Sequence, residues 1–259
     1  MKKRTVKNTL EVAILAGRIM LENGAETSRV ENTIQIICKS RGLVVENFTI
    51  PTGIFLSCQH NDEYFPYVIR TKSMTIDLEI IAKINSFSRE FVSSGMSPEE
   101  AFVQLDEIKK TPHFKPWIVS VFGGVAGGFF TLAFKGKPLE AMIAFITSFI
   151  VVTVVNRLAK YAGSFVRNAV GGMVNTLVAY ILIAMFSGID SQLALSNVVI
   201  GSLMPLVPGV AITNAFRDSI SGDFVSGVSK LTEAVLIAVA IALGVGVILH
   251  LKVLLTGSV

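Results

Sequence analysis

Asn214, Arg217 and Asp218 stand three and four residues apart, a spacing that puts an amide, a guanidinium and a carboxylate on one face of a helix. A guanidinium holds a carboxylate through two parallel hydrogen bonds, a carboxylate holds an ammonium, and an amide serves either group. That set suits a zwitterionic amino acid. For a dicarboxylate, Arg217 would matter most and Asp218 would repel. The competing reading makes Arg217 and Asp218 interfacial charges that anchor a helix end. Just upstream, Pro205 and Pro208-Gly209 interrupt an apolar stretch and free backbone carbonyls. At membrane depth a broken helix persists chiefly where it lines a cavity or site, the alternative being a plain proline kink. Asn175 and Thr176 sit inside another apolar stretch and either bond a neighbouring helix or line a path. Glu140, Lys230 and Glu233 fall at the edges of apolar stretches and read as anchors.

The elements that must position these groups are membrane helices. Mean hydropathy is +0.62, high for a soluble enzyme and ordinary for a polytopic membrane protein. Residues 1–116 hold 15 of the 23 Lys and Arg and 14 of the 19 Asp and Glu, so charge is concentrated at the amino end. Five spans are expected, about 117–134, 139–156, 168–187, 193–215 and 231–251, each close to the roughly 20 residues that cross about 30 Å of hydrocarbon. Lys109, Lys110, Lys115, Arg157, Lys160, Arg167, Arg217 and Lys230 flank one side, and Lys135, Lys137 and Lys252 the other. That imbalance places the amino-terminal part in the cytoplasm and the carboxy terminus outside. Runs such as Gly123-Gly124, Gly127-Gly128, Gly171-Gly172 and Gly244-Val245-Gly246 let helix backbones approach closely.

Residues 1–115 read as a separate α+β domain and 116–259 as the membrane domain. Val6, Leu10, Ala13, Ile14, Gly17, Met20 and Leu21 mark one face of a helix that stops at Asn23-Gly24. A second helix follows Thr27, with Ser28 and Glu31 at capping-box spacing, and ends at Gly42. The segments 43–50, 54–59 and 64–70 read as strands, the last an edge strand because of Pro66, with a hairpin loop at His60-Asn61-Asp62-Glu63. Helices over 77–94 and from Pro98 to about Thr111 complete the domain, the latter opened by Ser97-Pro98-Glu99-Glu100.

Several chemistries find no support. Cys38 and Cys58 lack metal-quartet spacing and read as core thiols. His60, His113 and His250 are scattered, with no nucleophile elbow or His-Glu-x-x-His helix beside them, which weakens a membrane-anchored hydrolase. A sensor or scaffold is a third class, for which five spans exceed what anchoring needs. No phosphate-binding Gly-Lys-Ser/Thr loop is present, so ATP hydrolysis in this chain is not expected. No metal, cofactor or nucleic-acid partner is expected. The basic start Met1-Lys2-Lys3-Arg4 runs into Glu11, Arg18 and Glu22 with no small-residue cleavage site after it, so no cleaved export signal is expected.

The segment Glu22-Asn23-Gly24-Ala25-Glu26-Thr27-Ser28-Arg29-Val30-Glu31, followed much later by Pro208-Gly209-Val210-Ala211-Ile212-Thr213-Asn214-Ala215-Phe216-Arg217-Asp218, resembles the threonine/serine exporter family. The resemblance extends over essentially the whole chain. It implies a secondary active exporter of small hydrophilic metabolites in a bacterial-type cell membrane, with a cytoplasmic amino-terminal domain; some family members are similar to threonine and serine exporters and others to succinate exporters. Proton coupling is likewise implied only by the resemblance. Long members carry a second, smaller membrane portion, so this chain is expected to work with a second, smaller membrane subunit, with homo-oligomerisation also open. Glu26 and Arg29, which capping does not explain, join Asn214, Arg217, Asp218, Pro208, Gly209, Asn175 and Thr176 as candidate substrate-binding or gating residues, docking of the domain being the other role open to them.

An odd number of spans separates the termini. Reporters fused at Met1 are expected to read as cytoplasmic and reporters at Val259 as external; both on one side would remove the five-span arrangement.

Overall fold

The computed structural model describes residues 3–61, 63–71 and 75–256; Asp62 of the expected hairpin loop lies outside them. Contacts divide the chain into two units, residues 1–112 with 210–232 and residues 113–209 with 233–259. Residues 210–232 are thus grouped with the amino-terminal part, whereas the sequence reading drew a single boundary at 115/116.

In the first unit, α1 (Lys3–Glu22) is the central element. Its sequence shows one apolar stripe, yet Val12, Ala16 and Ile19 are buried along with Leu10, Ala13 and Met20, because other elements cover it on several sides. Gly17 lets α2 (Thr27–Lys39) come close: a Cβ there would lie 2.7 Å from Ile34 Cδ1. Between the two helices Gly24 turns the chain with φ +85°, a conformation that side chains other than glycine rarely adopt. Strands β1 (Val45–Ile50), β2 (Gly53–His60) and β3 (Glu63–Arg70) form an antiparallel sheet in the order β1-β2-β3. Pro66 pairs with Ser57 on the edge strand β3, where a missing amide is tolerated. Ile54, Leu56 and Cys58 point into the core. Both cysteines are free and buried, and burial pushes the Cys38 thiol up to about 12.

Helix α3 (Leu78–Ser94) is opened by the Asp77 side chain, which accepts from the amides of Glu79 and Ile80, and closed by Gly95. Helix α4 (Pro98–Lys109) begins with the expected Ser97–Glu100 capping box. The other expected box does not form. Helix α2 starts at Thr27, so Ser28 lies inside it, and Glu31 turns away to accept the Thr49 amide at 2.7 Å on the sheet edge. A tertiary donor with no other partner outcompetes the local one.

The second unit holds α5 (Pro116–Ala133), α6 (Pro138–Leu158), α7 (Ser164–Phe186), α8 (Leu195–Leu203), a 3₁₀ turn at Met204–Leu206 and most of α10 (Phe224–Thr256). Four helices, α5, α6, α7 and residues Phe224–Leu254 of α10, are long and apolar enough to cross a membrane, and the bent pair Leu195–Leu206 and Gly209–Ile220 makes a fifth if it counts as one span. The expected fourth span is therefore broken at Val207-Pro208, and α9 (Gly209–Ile220) follows as a separate helix. The last span begins at Phe224 rather than near 231 because Asp223 opens the helix by accepting the Ser226 amide. Packing in this unit inverts that of the first. Many of its buried positions are small or weakly polar, among them Ser120, Gly124, Gly127, Thr131, Ser148, Gly171, Gly172, Asn175 and Thr176, beside Ile143, Val151 and Val198. Large apolar side chains such as Phe122, Phe129, Met142, Ile181, Met185 and Leu243 face outward. A helix bundle in hydrocarbon has this distribution, since lipid solvates the large groups and small ones permit close helix contact.

The α5–α8 contact is one test of that packing. A Cβ on Gly201 would overlap Thr131 Oγ1 and come within 2.7 Å of the Thr131 backbone nitrogen. Gly201→Val is expected to cost about 3 kcal/mol or more, read as a severalfold loss of folded, membrane-inserted protein, whereas Gly246→Ala, which meets nothing within 4 Å, is tolerated.

Candidate functional site

The two polar segments singled out in the sequence meet inside the first unit. Asn214 donates from Nδ2 to the Gly24 carbonyl at 2.9 Å. Lys230 Nζ reaches the Ala25 carbonyl at 3.3 Å and pairs with Asp218 Oδ2 at 2.7 Å, with the two side chains 4% and 0% exposed. Arg217 Nη1 pairs with Glu26 Oε1. The Thr27 amide donates to Asp218 Oδ1 at 3.2 Å, and the Thr27 hydroxyl to Asp223 Oδ2 at 2.6 Å. Each of the four residues Gly24, Ala25, Glu26 and Thr27 is therefore held by a named partner from the segment 214–230.

Local structure explains why these partners are needed. The first amides of a helix have no intrahelical acceptor, and Glu26, at the N-cap of α2, supplies no side-chain bond. Asp218 takes that role from 191 residues away, with its charge placed favourably at the positive end of the helix. Helices α9 and α10 are brought together by Gly222, at φ +90°, and by Gly227, where a Cβ would overlap Ser219 Oγ and lie 2.9 Å from the Ala215 carbonyl. That turn is what sets Lys230 beside Asp218.

The sheet edge is closed by the same segment. Thr49 gives its amide to Glu31, and its carbonyl accepts from Ser226 Oγ at 3.5 Å. Glu31 lies near Asp218 and Asp223. Burial raises its carboxyl above the ordinary range, the Thr49 amide pulls the other way, and the charges of Asp223 and Asp218 add to the rise.

What remains open to solvent lies beside this fastening. Arg217 is 56% exposed, Glu26 is mostly covered, and Arg29 Nε stands 3.7 Å from Glu26 Oε2. Along the first turns of α2 runs an open depression of about 430 Å³ lined by Glu26, Ser28, Arg29, Glu31, Asn32 and Gln35. It presents a guanidinium, two carboxylates, a hydroxyl and two amides, a set able to hold a small zwitterion. Asp218, in contrast, has both oxygens engaged within the protein.

Asn175 and Thr176 are in the second unit, on α7. Asn175 donates to the Val199 carbonyl of α8 at 3.3 Å, and Thr176 to the Gly172 carbonyl of its own helix. Pro208 stands in the break before α9, and Gly209 is the first residue of that helix. Glu140 is buried and accepts from the amides of Lys137 and Ala194 and from Asn197, so it ties α6 to the start of α8. Among the described residues, no group of three His, Cys, Asp or Glu side chains could hold a metal ion. The sequence alone does not single out Asp223, Ser226 and above all Lys230, whose position at a span edge reads as an anchor. The available signal was the pair Asp218 and Asp223 around Gly222, with a cation two turns further on.

A family model described as "Putative threonine/serine exporter" matches residues 11–252. The "Threonine/serine exporter" of Corynebacterium glutamicum is 23% identical over 96% of this chain and 52% of its own length. A "Probable threonine/serine exporter" of Mycobacterium tuberculosis is 23% identical over 92% of this chain and 45% of its own length. An uncharacterized protein of Schizosaccharomyces pombe is 22% identical over 89% and 31%. The chain spans about half the length of the two bacterial relatives it matches. No solved structure matches.

Two stability measurements follow from the fastening. Asp218→Asn keeps the shape but strands the Lys230 ammonium, and is expected to cost about 3–5 kcal/mol, whereas Asp218→Leu with Lys230→Met recovers part of the loss. The midpoint of heat-induced loss of folded protein reads both, and an unchanged midpoint in the single variant would show that the pair is not closed. For Glu31, whose folded carboxyl lies above its ordinary 4.5, the stabilising contribution is full below pH 4.5 and fades as pH rises through the folded value. Glu31→Gln keeps the acceptor for Thr49 without the charge, so it is expected to raise heat stability at neutral pH and to remove this part of the pH profile; superimposable profiles would contradict the assignment.

Proposed function

The chain belongs to the threonine/serine exporter family, and from that premise we propose that it is a subunit of a secondary active exporter of small hydrophilic metabolites, threonine and serine first among them. The observation that carries this reading is the reach of the family match, which runs through both units and includes both polar segments, 22–31 and 208–218. The apolar helices of the second unit support residence in a membrane as a multi-pass protein. The amino terminus is assigned to the cytoplasm and the carboxy terminus to the outside, in a bacterial-type cell membrane, on the distribution of Lys and Arg.

The face beside Glu26 favours an amino acid over a dicarboxylate. Arg29 and Arg217 offer planar forks for a carboxylate, while Glu26 and Glu31 offer acceptors for an ammonium and would repel a second carboxylate. Succinate and similar dianions are the second reading. The substrate reaches this face from the cytoplasm before translocation. A second, smaller membrane subunit is proposed as its companion on the resemblance to those family members in which the two portions are separate.

Vesicles carrying this chain with its companion are expected to export labelled threonine or serine, to do so only with an ion gradient, and to lose export on addition of an uncoupler; the chain alone is expected to export little. Arg217→Lys keeps the charge and loses the fork, so apparent substrate affinity should fall about tenfold to a hundredfold at equal membrane abundance. Unchanged export in that variant would leave Arg217 as a fastener alone, and export of succinate in preference to threonine would reverse the substrate assignment.

A further inference from the structure

Within the second unit the end of α8 is built differently from every other helix end in the bundle. The helix tightens into the 3₁₀ turn Met204–Leu206, and the Met204 amide goes to the Gly201 carbonyl. Pro205 has no amide to donate, and the Val207 amide goes to Met204 rather than to Leu203. The carbonyl ladder is thus interrupted at the negative end of a helix. Side chains from two other helices converge on the same turn. Ser148 of α6 donates to the Ser202 carbonyl at 2.8 Å. Asn175 of α7 donates to the Val199 carbonyl at 3.3 Å, and Ser202 Oγ shares that acceptor at 3.3 Å.

Asn175 is completely buried, and its Oδ1 has no hydrogen-bond partner. The amide cannot be turned round to relieve this, because Oδ1 would then face the Val199 carbonyl, oxygen against oxygen. A buried amide oxygen left open is unusual, since such groups are almost always satisfied by protein or by a bound species. The last turn of α8 adds further oxygens: the Ser202 carbonyl, which has Ser148 Oγ as its donor while Pro205 offers it no amide, and the hydroxyl oxygens of Ser148 and Ser202. Acidic side chains take no part, the nearest on α6 being Glu140, two turns away with its oxygens already engaged. Neutral oxygens at a half-helix end suit a singly charged cation, whose dehydration they can offset, better than a divalent one.

We infer that the broken end of α8, with Asn175 Oδ1 and the Ser202 carbonyl, is a binding site for a monovalent cation. The cation is either an alkali ion or the ammonium group of an amino-acid substrate, the two sharing charge and a need for oxygen ligands. The inference rests on the exporter reading only for its use, because binding itself requires no transport.

The test is ligand-dependent heat stability of the purified full chain in lipid nanodiscs, at constant ionic strength. Chlorides of lithium, sodium and potassium probe the alkali source; ethanolammonium and threonine probe the ammonium source, with choline and N-acetylthreonine as controls that lack an accessible ammonium. A saturable rise with one alkali ion assigns the site to the ion, and a rise with ethanolammonium and threonine but not N-acetylthreonine assigns it to the substrate amine. Asn175→Leu is expected to weaken whichever response is seen by about tenfold to a hundredfold. Asn175→Asp, which keeps the shape and adds charge, is expected to tighten it, and carries the test if the leucine variant does not fold. A wild-type chain indifferent to all these cations, or an unchanged affinity in Asn175→Asp, overturns the proposal. Parallel export measurements separate the two readings: binding without export counts against the exporter, and export without binding counts against this site.

Discussion

The buried pair of Asp218 and Lys230 is the constraint on which the first unit depends. A carboxylate removed from water requires more than one partner, and Asp218 has an ammonium on one oxygen and a helix-terminal amide on the other. That amide belongs to Thr27, so the charge pair also completes the start of α2. The neighbouring carbonyls of Gly24 and Ala25 are then satisfied by Asn214 and Lys230, and the sheet edge at Thr49 by Glu31 and Ser226. Pulling out one member would expose a set of polar groups that have no second choice of partner.

The second unit obeys the opposite solvent. Its polar side chains are mostly hydroxyls that fold back on their own helix, as Thr131 does on Gly127, Thr147 on Ile143 and Thr176 on Gly172. Such bonds satisfy the hydroxyl without requiring a neighbour. Bonds between helices are fewer, and Ser148 and Asn175 both direct theirs to the last turn of α8. Others join Thr153 to Ser120 and bring Asn197 and the Ala194 amide to Glu140, so polar cohesion is shared among the α5–α6 contact, the start of α8 and its broken end.

Much of this architecture was legible from local signals. The capping box at Ser97 acts within four residues, and the spans declare themselves by composition over about 20 residues. What escaped was non-local. The Ser28–Glu31 spacing carries the same signal as Ser97–Glu100, but the Thr49 amide, 18 residues from Glu31, competes for its carboxylate. The helical face of Asn214, Arg217 and Asp218 was evident, whereas the interior that receives it was not, because Lys230 reaches Ala25 across 205 positions. Periodicity reports that a face is amphipathic and is silent about what covers it. The opening of the fourth span was readable from Pro205 and Pro208, yet not the placement of the following helix with the amino-terminal residues.

That placement has a consequence for the order of biosynthesis. The amino-terminal residues through Pro112 leave the ribosome first, but Thr27, Gly24 and Ala25 obtain their partners only when residues 214–230 have been made. At a synthesis rate of roughly 5–20 residues per second, about 6 to 24 seconds pass between the two events. During that interval the turn at Gly24–Thr27 lacks these partners, and its polar groups are left to water. The nascent domain is consequently an open receptacle in which late-arriving chain is the final component, and a ribosome stalled among the spans would leave that receptacle empty for any quality-control factor that recognises uncovered backbone.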